Sequence, residues 1–321
     1  MRRSRAAWSE VRSSPSQFAW VIDQRYRFAV ILLRLMLVSL GMSVALASCS
    51  HGTEGATAEV SCEALTRNPV LFVHGSGLSS ASWAEMIDYL ASHGYPIEYL
   101  FAVDMFPDNG DNIRAAEIFI AQGVERLLVA KRRLLTEHAC DATPEQKIDI
   151  VSHSMGAVSS RWYARFVSPE RVGWLITLAG ANHGTNDLCG HRGEGNRQMC
   201  PAYSESTDSV QYRLNGSDRA PVDETPHGAG VDRRGVNSIS PDEQRRVAYL
   251  TVRLAHDEWI DPAESAMLDG ADDFSRWLDG DYPVTQSHPG NLLFDAPTGH
   301  DDLPMHPELI RLVTDVLSAP D

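Results

Sequence analysis

The 321-residue chain has no internal repeat and no low-complexity tract, which excludes solenoid and propeller arrays. Positive charge is scarce: 28 Lys and Arg stand against 43 Asp and Glu, a net charge of −15. A surface this acidic repels phosphate backbones and anionic headgroups, so nucleic acid is excluded as a partner while neutral substrates remain compatible. Cysteine is sparse, at five residues. No paired Cys or His residues fall at the short spacings that hold zinc, so no metal site is assigned. Carboxylates such as Asp187, Asp301 and Asp302 read as solvated rather than as calcium ligands, and no cofactor is expected.

What is present begins with a segment unlike the rest. Several arginines, Arg2 to Arg27, precede a mostly apolar run from Phe28 to Ala47 that only Arg34 interrupts. The run ends in small residues, the pattern of an export signal over 1–48 rather than a membrane anchor. Leu46-Ala47-Ser48-Cys49 resembles the lipobox of bacterial lipoproteins, in which the cysteine is lipidated. Setting Cys49 aside leaves four cysteines, an even set suited to disulfides in an oxidising compartment. Residues 49–62 are short, polar and rich in small side chains, and read as a tether. The chain is therefore expected to be exported, as a cell-envelope lipoprotein or a secreted protein. Contact with a membrane is expected only through that N-terminal anchor, and the protein is expected to be a monomer.

From residue 63 onward, strand and helix signals alternate. Apolar runs at 69–73, 97–103, 148–151, 172–178, 246–254 and 291–294 read as strands. Helical spacing appears at 83–92, 111–138, 154–166 and 307–317. Strands separated by helix-length crossovers imply right-handed β-α-β units and a mostly parallel sheet of about six strands, with functional loops at the strands' carboxyl ends. One stretch breaks the rhythm. Residues 182–244 are rich in Gly, Ser, Asp and Arg, and an insertion of that length after the fourth strand reads as lid-like.

The chemistry sits at Val151-Ser152-His153-Ser154-Met155-Gly156, between a strand and a helix. This reads as a nucleophile elbow, where Ser154 is held in a strained conformation at the top of the sheet and small neighbours avoid a clash. Gly156 meets that demand; Ser152 stands where glycine is commoner. A serine hydroxyl needs a histidine to take its proton and a carboxylate to orient that histidine. The strand at 246–254 runs into His256-Asp257-Glu258-Trp259-Ile260-Asp261, and the strand at 291–294 runs into Gly299-His300. Position relative to the strand ends selects Asp257 over Glu258 and Asp261, and His300 over His256, His288 and His306. Backbone N–H groups of Met155 and of Ser76, in the loop His74-Gly75-Ser76-Gly77 after the first strand, are the expected oxyanion donors.

Taken together, Pro69-Val-Leu-Phe-Val-His-Gly75, the serine hexapeptide, Leu178-Ala-Gly-Ala-Asn-His-Gly-Thr185, Asp257-Glu-Trp-Ile-Asp-Pro262 and Gly299-His300 resemble the small bacterial class 2 lipases and esterases. The resemblance spans residues 63–321. It implies a minimal α/β-hydrolase fold pared of its first two strands, with Ser154, Asp257 and His300 as triad and Ser76 and Met155 as oxyanion donors. It also implies an acyl-ester substrate cleaved through an acyl-enzyme. A polyester depolymerase or a thioesterase would use the same triad, and a non-catalytic binding protein on this fold is the reading from a different class. In a sheet of that family the strand at 69–73 lies beside the strand at 148–151, so Cys62 and Cys140 are expected to pair. Cys189 and Cys200 would then staple the insertion. The insertion lacks the apolar stripe of an interfacial lid helix, which favours soluble or short-acyl esters.

Overall fold

The computed structural model describes residues 61–141, 146–216, 247–268, 282–288 and 290–318. The expected export signal, Cys49, most of the tether and residues 217–244 of the expected insertion lie outside them. Seven strands form one sheet: β1 (Val70–Val73), β2 (Leu100–Val103), β3 (Ile148–His153), β4 (Val172–Leu178), β5 (Ala248–Leu254), β6 (Val284–His288) and β7 (Asn291–Phe294). Their order is β2-β1-β3-β4-β5-β7-β6. Every neighbouring pair is parallel except β6 with β7. This order matches an α/β-hydrolase sheet without its first two strands, and it sets β3 in the interior, between β1 and β4.

The central strands are buried on both faces, and their sequences show why. In β1, Leu71 and Val73 pack on one side of the sheet while Val70 and Phe72 pack on the other. This is the two-residue period of a strand. One face is covered by the helical run that begins at Asn112–Arg114, passes through π-helical Ala115–Ile120 and continues as Ala121–Glu137, and by the helix Met155–Trp162. The other is covered by the helices Ala84–Ser92 and Pro307–Ser318, the latter inserting Leu309, Leu312, Val313 and Val316. Covering both faces of a parallel sheet is what allows near-continuous apolar strands to stay soluble.

Among the described residues the sheet has seven strands where the sequence suggests about six. The additional one, β6, reads Val-Thr-Gln-Ser-His and, among the described residues, pairs on one side only. Half-polar edge strands of this kind carry a weak alternation signal, and their polarity protects the open edge. The chain turns from β6 into β7 through Gly290, whose φ of 73° suits glycine.

Both expected disulfides are present. Cys62 bonds Cys140 across 78 residues of chain, and Cys189 bonds Cys200 across 11. The first ties the short helix Cys62–Thr66, capped by the Ser61 hydroxyl, to the end of the long helical run. A cross-link closing either loop contributes about 2–4 kcal/mol, more for the longer one in the chain-entropy account. Among the described residues no helix is long and apolar enough to cross a membrane.

Candidate active site

Ser154 is the residue at which β3 ends and the helix Met155–Trp162 begins. Its φ of 53° and ψ of −123° lie outside the regions open to most L-residues. Such strain persists only where the surroundings dictate it. Here Ser154 N donates to Leu178 O, while Ser154 O accepts from Ala157 N and Ala181 N. The helix that follows needs Gly156, because a Cβ there would stand 2.6 Å from the carbonyl oxygens of both Val73 and His74. On the other side Ser152 is buried and donates its hydroxyl to Ile176 O at 3.2 Å, so serine is accommodated where glycine is usual. The Ser154 side chain caps no backbone N–H of the helix it starts.

The loop after β1 lies against this serine. A Cβ on Gly75 would come within 2.8 Å of Ser154 Cβ and 3.4 Å of its Oγ, so only glycine lets the loop approach so closely. The loop is pinned by His74. Met105 N donates to His74 Nε2 at 3.0 Å, so the ring proton sits on Nδ1, which donates to Gly75 O at 2.8 Å. Burial lowers the pKa of His74 and so favours its neutral form, against the opposing pull of Gly75 O, Asp104 and Asp108. Gly75 O also accepts from Leu78 N. In a trans peptide the N–H points opposite the C=O, so fixing Gly75 O fixes the direction of Ser76 N–H.

Asp257 and His300 meet at the carboxyl ends of β5 and β7. Both side chains are 2% exposed, and His300 Nδ1 lies 2.8 Å and 2.9 Å from the two carboxylate oxygens of Asp257. Asp257 Oδ1 accepts in addition from the backbone of Trp259 and Ile260, each at 2.9 Å. Glu258 accepts from His300 N at 2.8 Å. The main-chain oxygen of His300 lies 3.0 Å from His153 Nε2, which sets the histidine loop beside the end of β3. His300 Nε2 is buried without a hydrogen-bond partner. Of the competing residues, Asp261 bonds Asn186, His306 accepts from Glu308 N, and His256 is exposed.

The described part of the expected insertion, residues 182–216, packs against the elbow helix. Buried Asn112 accepts from Ser159 Oγ at 2.7 Å and donates to Gln198 Oε1 at 2.9 Å. A Cβ on Gly195 would lie 2.5 Å from Met155 Sδ, so this segment forms a close wall over Met155.

Residues 67–204 match the family model for Lipase (class 2). Over these residues the chain is similar to the class 2 lipases. Triacylglycerol lipases of Pseudarthrobacter phenanthrenivorans and Burkholderia plantarii are each 29% identical to it over 129 residues, which is 38% of this chain and 35% and 32% of theirs. The chain spans about a third of the length of these curated relatives. Among solved structures, Aspergillus fumigatus lipase B aligns over 82% of this chain and 55% of its own, with 13% identity and a TM-score of 0.43, values too low to add to the topology above.

The class 2 lipase match contains the serine elbow and the loop at His74 to Gly77, and it ends before Asp257 and His300. Three residues that touch this arrangement escape a reading by motif alone: His74, His153 and Glu258. The first two sit inside motifs, where only the hydrogen bonds of their rings reveal a task. Glu258 adjoins Asp257 and competes with it in sequence; its bond to a backbone N–H 42 residues away separates the two.

Proposed function

We propose that this protein hydrolyses carboxylic esters through Ser154, His300 and Asp257. The observation that carries the reading is the strained backbone of Ser154, together with a buried Asp257–His300 pair whose Nε2 is uncommitted and whose loop bonds His153, the residue before that serine. As Ser154 Oγ attacks the ester carbonyl, His300 Nε2 takes its proton. Asp257 holds the imidazole in the Nδ1–H tautomer and stabilises the imidazolium that forms. The tetrahedral oxyanion is met by the N–H groups of Met155, at a helix start, and Ser76, on the pinned loop; loss of one such donor costs about 3 kcal/mol. Collapse expels the alcohol with the proton from Nε2, and water then repeats the sequence on the acyl-enzyme.

The segment 182–203, stapled by Cys189–Cys200 and held by Asn112, walls the site on the Met155 side. Its polar composition supports short or soluble acyl chains over emulsified fat. The two disulfides support export, and Cys49 is the proposed site of lipidation.

Hydrolysis of p-nitrophenyl esters from acetate to palmitate, by the protein and by Ser154→Ala, tests both parts. Fluorophosphonate labelling that maps to Ser154, activity lost in the variant and a maximum at short acyl chains are expected. Activity surviving in Ser154→Ala sinks the serine mechanism. A long-chain maximum with activation at an oil interface sinks the short-chain reading.

A further inference from the structure

One buried titratable group beside the triad has no part in the chemistry above. His153, the residue before Ser154, is fully buried at the end of β3. Its Nε2 is 3.0 Å from the main-chain oxygen of His300, and the two ring centroids are 4.6 Å apart. A carbonyl oxygen only accepts, so Nε2 carries the ring proton and donates it. Nδ1 is then a bare lone pair. It is buried without a partner and faces Gly75, where an added Cβ would stand 3.0 Å from it.

Complete burial, and then the neighbouring His300, push the pKa of His153 well below the ordinary imidazole value, against the opposing pull of the bond to His300 O. The ring is therefore a neutral donor of one tautomer and carries no proton to or from the substrate. Leaving Nδ1 unsatisfied costs stability that an apolar side chain would not. What the imidazole supplies in return is the bond from Nε2.

We infer that His153 is a positioning residue, whose Nε2–H fixes the main chain of His300 so that its Nε2 faces Ser154. With it, His300 is held at three points: N–H on Glu258, oxygen on His153 and Nδ1 on Asp257. Each hold alone leaves the loop a rotation; together they leave Nε2 as the one atom free for proton exchange. A displacement near 1 Å at such a group lowers the rate by about 100-fold. The inference rests on the ester-hydrolase reading.

Two substitutions separate positioning from packing. His153→Phe keeps ring volume without a donor. His153→Gln places an amide nitrogen where Nε2 stood. For a short p-nitrophenyl ester the Phe variant is expected to lose about 10- to 100-fold in kcat with KM within about 2-fold, and the Gln variant to recover most of that loss. A Phe variant with unchanged kcat, or a Gln variant as slow as the Phe variant, overturns the inference. A measurement on the unsubstituted protein needs neither variant to fold. Nitrogen-15 spectra of its imidazoles should show the His153 ring neutral, with its proton on Nε2, throughout the pH range in which the fold persists. A proton on Nδ1, or a second proton taken up in the folded state, overturns it equally. If Ser154→Ala stays active, the hydrolase reading fails while the tautomer result still stands. If Ser154→Ala is dead and the Phe variant is fast, only the role of His153 fails.

Discussion

The candidate site is assembled from two halves built in different ways. The serine half is made by one short stretch: Ser154 sits between β3 and the helix Met155–Trp162, and its placement is a property of backbone, enforced by close contacts at Gly75 and Gly156. The histidine half is made by side chains that reach between loops, with Asp257 after β5 and His300 after β7 joined through hydrogen bonds. The family match follows the same division, covering the first half and ending before the second. A nucleophile that must be strained leaves a local signature in glycines and small residues. An acid and a base that need only reach each other can be hung on loops of varied sequence. The serine half is therefore legible as a motif, and the histidine half only as a geometry.

If the two halves work as one unit, disabling either should cost nearly the same. Ser154→Ala and His300→Ala are each expected to lower kcat by about 10⁶-fold, and the double variant to be little worse than either. Asp257→Asn should lower it by about 10⁴-fold, since the amide favours the wrong tautomer of His300. Steady-state kinetics on one short ester measures all four. If His300→Ala retains more than a few per cent of the rate, the histidine half is placed on the wrong residue and the unit dissolves. His256 and His306 would then need testing.

That division also explains how far the sequence could be read. The strands β4 and β7 fall where their apolar runs put them, because a strand buried on both faces is a continuous run with sharp ends. β2 begins later than its run suggests, since Ile97–Tyr99 forms a 3-10 turn before Leu100. Apolar character alone does not distinguish a buried turn from a strand. β6 is missed because an edge strand buries too little to reveal a pattern. The helices Glu194–Met199 and Val210–Asn215 in the insertion are missed for a related reason: each is about two turns or less, too short to show a period. Asp257 and His300 are reachable by position after strands, which favours Asp257 over Glu258 without showing what either carboxylate touches. Only the bonds show that: the Asp257 carboxylate to the imidazole, and the Glu258 carboxylate to the backbone of the same residue.

Glycine substitutions sharpen the contrast at an intermediate scale. A Cβ at Gly75 meets Ser154 Cβ at 2.8 Å, and one at Gly156 meets two backbone oxygens at 2.6 Å; neither set of neighbours can retreat without moving β1 or the elbow. At Gly299, next to His300, the nearest atom is the Glu258 carboxylate oxygen at 3.0 Å. That oxygen is the one that accepts from His300 N, so the side chain can give way only by disturbing one hold on His300. Gly75→Ala is therefore expected to lower kcat by about 100-fold through displacement of the nucleophile. Gly156→Ala should destabilise the fold by about 1–3 kcal/mol, the usual cost of forcing atoms into a packed region. Gly299→Ala, which meets a side chain rather than backbone, should cost less, about 10-fold in kcat through the bond from His300 N to Glu258. Kinetics and denaturant midpoints on the three variants decide it. A Gly299→Ala protein as damaged as Gly75→Ala would mean that the histidine half, too, depends on backbone contact.

The smallest expected effect is in pH. The serine half contains two buried imidazoles, His74 and His153, and burial lowers the pKa of both. Released in the unfolded chain, each takes a proton near the ordinary value of about 6.5. Below that pH the unfolded state binds more protons than the folded one. Stability therefore declines as pH falls from about 6.5, and the decline continues until the folded rings themselves accept protons. Above about 6.5 both states hold these rings neutral, and they contribute no slope. Asp104 has the opposite chemistry and acts at lower pH: the Ser80 N–H holds its carboxyl below the usual carboxylate range, so its contribution is present above that range and is lost as pH falls through it. Thermal midpoints should thus fall between pH 7 and pH 5, and His153→Gln, which has no proton to gain, should fall less steeply. Parallel slopes for the two proteins would mean that His153 is not the buried neutral ring described, and the two halves of the site would then differ in backbone strain but not in charge.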